Sequence, residues 1–192
     1  MKRFLFFMAL LCIWCISFNS VKAVSNAELQ DTSRFEHIVS KGDTGGGDGK
    51  YIELSTLRDI STDARTKSIE TKIYVVLPSS DLIREYTIRY DYNLNYSYAN
   101  LVAKMPEFKQ RFPDFSLNDI WNLKMDESGI VGTVKVQQDY TLNGESKTTQ
   151  PGYKGYEYVT FLTPTDFDFE SYHVANRVFK KVFGIFYDDV SR

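Results

Sequence analysis

Cysteine and histidine are almost missing from this chain, and the few copies stand apart. Both cysteines, Cys12 and Cys15, fall within the first 23 residues, and the two histidines, His37 and His173, lie 136 positions from each other. No thiol remains beyond residue 23 to close a disulfide or ligate a metal, and the histidine spacing fits no zinc pattern. An excess of basic charge is lacking too. With 23 Lys+Arg against 25 Asp+Glu, the chain has no basic stripe for nucleic acid. No Gly-x-Ser-x-Gly elbow occurs, so the commonest serine-nucleophile signature is absent. These gaps leave no expected catalytic residue, metal site or cofactor.

What is present begins at the N-terminus. Lys2 and Arg3 precede fifteen mostly apolar residues, Phe4 to Phe18, and Val21-Lys22-Ala23 places small residues at −3 and −1 of a cut. This three-part pattern predicts residues 1–23 as a signal peptide. The apolar run is shorter than the roughly 20 residues of a membrane span, so no transmembrane span is expected after cleavage. Ser25-Asn26-Ala27 offers a second cut. Neither cysteine follows a small residue, which argues against lipid attachment. The predicted location is therefore exported, periplasmic or extracellular at the cell surface, and a cysteine-free mature chain suits a bacterial envelope. Without residues 1–23, which hold three bases and no acid, the net charge moves from −2 to −5.

Residues 24–50 read as a Gly-rich flexible tether. Five of the ten residues from Lys41 to Lys50 are glycine and none is hydrophobic, a composition whose backbone entropy opposes packing. A single domain over 51–192 follows. Its clearest signal is Tyr86, Ile88, Tyr90, Tyr92, Leu94, Tyr96 and Tyr98 at every second position, with polar residues between. That period is a strand's, and thirteen residues at ~3.3 Å each make it long enough to need a bend near Asn93–Asn95. Ile69 to Leu77 and Ile130 to Leu142 alternate likewise, with Gln138 as the exception in the second. Asn143-Gly144 fits a hairpin turn. Tyr153 to Leu162, between prolines, is a further strand.

Two helical stretches complete the pattern. Ala99–Phe112 is interrupted by Pro106 and closed by Pro113. At the C-terminus Tyr172, Ala175, Phe179, Val182, Phe183 and Phe186 share one helical face, opposite Arg177, Lys180 and Lys181. Thr165 is placed to cap this helix and Asp166, Asp168 and Glu170 to complement its dipole. The expected fold is α+β: a mainly antiparallel meander of about five or six strands packed by the C-terminal helix.

Several motifs fit chemistry poorly. Asp43-Thr44-Gly45 matches the aspartic-protease tripeptide, but glycines flank it where apolar strands are needed. Asp43 and Asp48 lack the closing glutamate of a calcium loop. His173 falls near the polar side of its helix. The tyrosines carry more weight. Thirteen occur, all beyond residue 23, and Tyr90, Tyr92, Tyr96, Tyr153, Tyr156 and Tyr158 form the candidate binding face, against the reading that they are core. The function expected is an exported, non-catalytic binding protein that takes a protein, peptide or glycan partner on a tyrosine-rich sheet face or edge. The alternatives are a small hydrolase using Asp166 and Asp168, or an assembly component of an envelope or secretion machine with its N-terminal segment retained.

Two fragments resemble the periplasmic domain of the bitopic inner-membrane subunit of type IV secretion systems. Leu82-Ile83-Arg84-Glu85-Tyr86 is similar to its first helix, and Phe169-Glu170-Ser171-Tyr172-His173-Val174 to its last strand. Periodicity assigns a strand to the first and a helix to the second, and the N-terminal segment lacks that family's cytoplasmic tail. The expectations above therefore rest on periodicity.

Overall fold

A computed structural model describes residues 24–38, 49–147, 158–164 and 169–191. The alternating segments form one antiparallel sheet. Its strands are β1 (Phe35–Ile38), β2 (Gly49–Glu53), β3 (Arg58–Asp59), β4 (Thr66–Leu77), β5 (Leu82–Asn93), β6 (Ile130–Tyr140) and β7 (Tyr158–Leu162). The spatial order is β1-β2-β4-β5-β6-β7, with the two-residue β3 also pairing with β4. The expected α+β class and meander hold, and β5 and the C-terminal helix stand as periodicity assigned them.

The frame is the β4–β5 hairpin, two strands of 12 residues in unbroken register from Thr66↔Asn93 to Leu77↔Leu82. Its turn runs through Pro78–Ser80 and closes on Asp81 at φ 47, a left-handed conformation that Asp tolerates better than most residues. The bend expected near Asn93–Asn95 is real: β5 ends at Asn93 and a 3₁₀ turn, Leu94–Tyr96, follows. Tyr96 and Tyr98 therefore leave the strand.

β6 is not one continuous alternation. Thr87 faces Val136 while Ile88 faces Val134, so Lys135 is an extra residue in a bulge. A bulge reverses which face later residues occupy. Ile130 and Val134 lie on one face, whereas Tyr140 packs on the other, in a different cluster. Gln138, the exception in the sequence pattern, lies beyond the bulge and pairs with Glu85.

Among the described residues each face is covered at one end only. On the first face, α5 (Phe169–Phe183) buries Val174, Ala175, Val178 and Phe179 against Ile69, Tyr90, Tyr92 and Ile130. Gly184, at φ 78, ends this helix by donating to the Lys180 carbonyl at 2.8 Å. On the second face, at the hairpin end, Val24, Leu29 and Phe35 pack on Tyr51, Tyr74, Val76, Ile83 and Tyr140. Here the tether reading needs correction. Residues 24–38 belong to the domain: α1 (Asn26–Leu29) starts at Ser25 with a Glu28 capping box, and Leu29 and Phe35 are fully buried. Three apolar anchors outweigh the local polarity around them. The Gly-rich run up to Asp48 lies outside the described residues, as do the proposed signal peptide, Thr165, Asp166 and Asp168.

A helical insert joins β5 to β6. Pro106 divides it as expected, into α2 (Tyr98–Ala103) and α3 (Met105–Arg111), with the proline in the first turn of the second helix. A third helix, α4 (Leu117–Asp126), was not anticipated. Its sequence signal was Ser116 with Asp119, a capping box whose two reciprocal bonds both form. No helix among the described residues is long and apolar enough to cross a membrane.

Candidate functional site

The tyrosines do not form one platform. Tyr92 is 0% exposed and Tyr90 3%, so neither belongs to an exposed binding face, which corrects the expectation for both. The reason is that α5 lies on them and supplies a polar partner. The Tyr92 hydroxyl donates to the Ala175 carbonyl at 2.8 Å, and its ring sits 4.8 Å from that of Phe179 and 5.6 Å from that of Tyr187. A phenol with an acceptor for its hydroxyl suits a dry core. Desolvation holds the Tyr90 and Tyr92 phenols well above their ordinary range. Tyr96 is half-buried, with the Glu127 charge raising its phenol. Tyr153 and Tyr156 lie outside the described residues. Of the four that are described, Tyr158 alone is exposed.

A buried lysine that sequence reasoning missed organises the insert. Lys124 of α4 donates to the carbonyls of Tyr96 at 2.6 Å and Ser128 at 2.7 Å, and pairs with Asp188 at 2.7 Å. Its ammonium lies 4.4 Å from the centre of the Tyr187 ring. Asp188 also accepts from the Tyr98 N–H at 3.2 Å and from the Tyr172 hydroxyl. One ion pair thus ties α2, α4, α5 and the C-terminal residues together. Burial pulls the Lys124 ammonium down to about 8, against the opposing effect of Asp188. The signal in sequence was its position four residues after Ile120, on the inward stripe of α4.

The histidines stay apart. His37 lies in β1, stacked on the Tyr51 ring at 4.6 Å. His173 lies half-buried on α5, where burial and then Arg177 lower its imidazole. Among the described residues no three His, Cys, Asp or Glu side chains converge as a metal group.

The two sheet ends that no helix among the described residues covers differ in chemistry. On the second face, away from α1, Glu70 pairs with Lys135 at 2.9 Å, Lys72 with Glu85 at 2.7 Å and Arg89 with Asp91 at 2.8 Å. That is a normal solvated sheet face. On the first face, away from α5, the surface is apolar. A groove of about 270 Å³ runs there over Val75, Tyr86, Ile88, Val134 and Tyr158, between Lys50 on one side and the first turns of α5 on the other.

The outer edge of β7 is the second exposed apolar feature. Phe161 is 73% and Val159 58% exposed, and Tyr158 joins them. No charged side chain occurs from Tyr158 to Leu162, and among the described residues β7 is the last strand of the sheet. At the other edge, β1 carries Glu36, paired with Lys181 of α5 at 2.7 Å.

No family model, no curated protein and no solved structure matches this chain.

Proposed function

We propose that this chain is an exported, non-catalytic interaction protein that adds an extended segment of a partner protein to the outer edge of β7. The observation that carries this reading is an edge that no other described strand covers, with Val159 and Phe161 exposed side by side and no charge on the strand. Folded proteins guard such edges with lysine, proline, a bulge or a covering element, because unpaired backbone groups recruit other strands. An unguarded edge is what strand addition uses: backbone bonds supply affinity, and alternate side chains supply selectivity. The partner segment would be uncharged and apolar at alternate positions, to meet Val159 and Phe161 on one face and Tyr158 and Thr160 on the other. Export rests on the pattern of residues 1–23, and intact mass of the protein from its native envelope tests it.

Strand addition is tested by placing a photo-crosslinking residue at Phe161 and, as a control, at the exposed Ile185 just after α5. The reading expects one discrete adduct from Phe161 that disappears when Val159→Lys is added. Equal adducts at both positions, or an adduct indifferent to the lysine, would refute it.

A further inference from the structure

The partner segment that the β7 edge calls for is extended, uncharged and apolar at alternate positions. β7 meets that description itself. Tyr158-Val159-Thr160-Phe161-Leu162 carries no charge. Tyr158, Thr160 and Leu162 line the groove of the first face, so Val159 and Phe161 point from the second. Both are exposed, and among the described residues no strand lies beyond them. The opposite edge does not offer the same chemistry. β1 has four residues, and its Glu36 is paired with Lys181 of α5 at 2.7 Å, so a strand laid there meets an ion pair. A head-to-tail contact of β7 on β1 would also run on without closing, whereas β7 on β7 is two-fold and closes at two copies.

An antiparallel pair with its two-fold axis through Thr160, perpendicular to the sheet, keeps each face continuous across the contact, as strand alternation requires. Val159 then lies opposite Phe161 of the second copy, and Phe161 opposite its Val159. An aromatic ring facing a β-branched side chain is a favourable cross-strand pair, and the symmetry supplies it twice. On the first face Thr160 meets its own copy, another favourable pair. Slipping by two residues either way loses both Val–Phe pairs, and one of the slips sets Pro164, which cannot donate to a ladder, opposite Tyr158. The area is small. At ~200 Å² for a whole phenylalanine, 73% exposure leaves about 150 Å² of Phe161 open. Val159 and Tyr158 add roughly as much again, so two copies bury on the order of 600 Å² before any backbone. Stable complexes bury about 1,200 Å² or more, so this contact suits a weak dimer that exchanges readily.

We propose that the outer edge of β7 pairs with β7 of a second copy of this chain, antiparallel about Thr160, and that a partner segment binds by displacing that copy. The dimer rests on the strand-addition reading of the same edge. It guards Val159 and Phe161 until a partner arrives, and its weakness is what lets the partner in.

The test is sedimentation velocity of the full mature protein from micromolar to near-millimolar concentration, beside Val159→Lys, Phe161→Glu and an equimolar mixture of the two variants. Both substitutions fall at exposed positions, where the fold does not depend on them. The wild type should pass from monomer to dimer and stop there. Each variant alone should dimerise about tenfold more weakly, having lost both Val–Phe pairs. The mixture should recover most of that loss, because the mixed dimer sets the new lysine opposite the new glutamate and keeps one Val–Phe pair. A wild type that stays monomeric, growth past two copies, variants that dimerise like the wild type, or a mixture no stronger than its parts would each overturn the dimer. The photo-crosslinker at Phe161 separates this outcome from strand addition itself. Purified protein should give an adduct of twice the chain mass. A monomer that still gives an adduct with another protein in the envelope ends the dimer and leaves strand addition standing, and loss of both adducts refutes both.

Discussion

Replacing Lys124 by methionine tests whether one buried cation holds the helical insert to the sheet. Methionine keeps most of the volume and removes the ammonium, which is 1% exposed and has three acceptors within 2.7 Å. The loss is not the sum of three bonds. Ser128 keeps the Tyr187 hydroxyl at 3.1 Å, and Asp188 keeps the Tyr98 N–H and the Tyr172 hydroxyl while remaining 30% exposed to water. The Tyr96 carbonyl loses its lysine donor outright. An unsatisfied buried carbonyl costs about 1–3 kcal/mol and a broken buried pair about 3–5. The partners that survive place the expected destabilisation near the lower figure, about 3 kcal/mol. Urea unfolding followed by far-UV circular dichroism measures it.

The pH dependence of the same comparison gives a second readout. Burial lowers the folded ammonium to about 8 from an ordinary 10.5, so between those values the unfolded chain binds more protons. Stability contributed by this group therefore rises with pH across that window. The wild type should gain on Lys124→Met between pH 7 and 9.5. A destabilisation under about 1 kcal/mol would refute the clamp. A gap that narrows with pH would show that Asp188, not burial, dominates the lysine.

Three further outcomes follow from the core. Tyr92→Phe removes the bond to Ala175 and should cost about 1 kcal/mol in urea unfolding. Desolvation raises the phenols of Tyr74, Tyr90, Tyr92, Tyr172 and Tyr187, so the stability they contribute is intact below pH 10 and is lost above it as the unfolded phenols ionise. Their tyrosinate absorbance should appear only together with loss of far-UV dichroism, and a separate earlier rise would contradict their burial. Gly129→Ala should cost about 3 kcal/mol, because φ is 79 and a Cβ would strike the Tyr187 hydroxyl and lie 2.5 Å from Tyr96 Cβ. Gly184→Ala, at φ 78 with nothing within 4 Å, should cost only about 1 kcal/mol in the same unfolding assay.

Alternation alone located the hairpin, because Ile69 to Leu77 and Tyr86 to Tyr92 hold period 2 without interruption. It could not locate the bulge at Lys135, since apolar residues keep even-numbered positions on both sides of it while the face they occupy reverses. Nor could it show that Tyr92 finds an acceptor 83 residues away. The tether reading failed for a related reason. Leu29 and Phe35 are isolated apolar residues in a polar stretch, and their value lies in a pocket built by Tyr74, Ile83 and Tyr140 from distant strands. Lys124 was illegible in the same way, because two of its acceptors are backbone carbonyls, which carry no residue-type signature.

The open half of the first face, by contrast, follows from lengths that the sequence does contain. Strands of 12 residues span about 40 Å, and a sheet six strands wide spans about 24 Å. A helix of 15 residues reaches about 22 Å and is about 10 Å wide with its side chains. One such helix cannot cover the apolar positions from Val75 to Tyr92, so a surplus of apolar sheet is left wherever the helix settles. The tyrosine row is neither wholly buried core nor wholly exposed platform. Position along β5 decides instead. Tyr92 lies under α5 with an acceptor, Tyr90 is buried at the boundary, and Tyr86 lines the groove. Among the described tyrosines the binding question therefore narrows to Tyr158 and the apolar stretch of sheet around Tyr86.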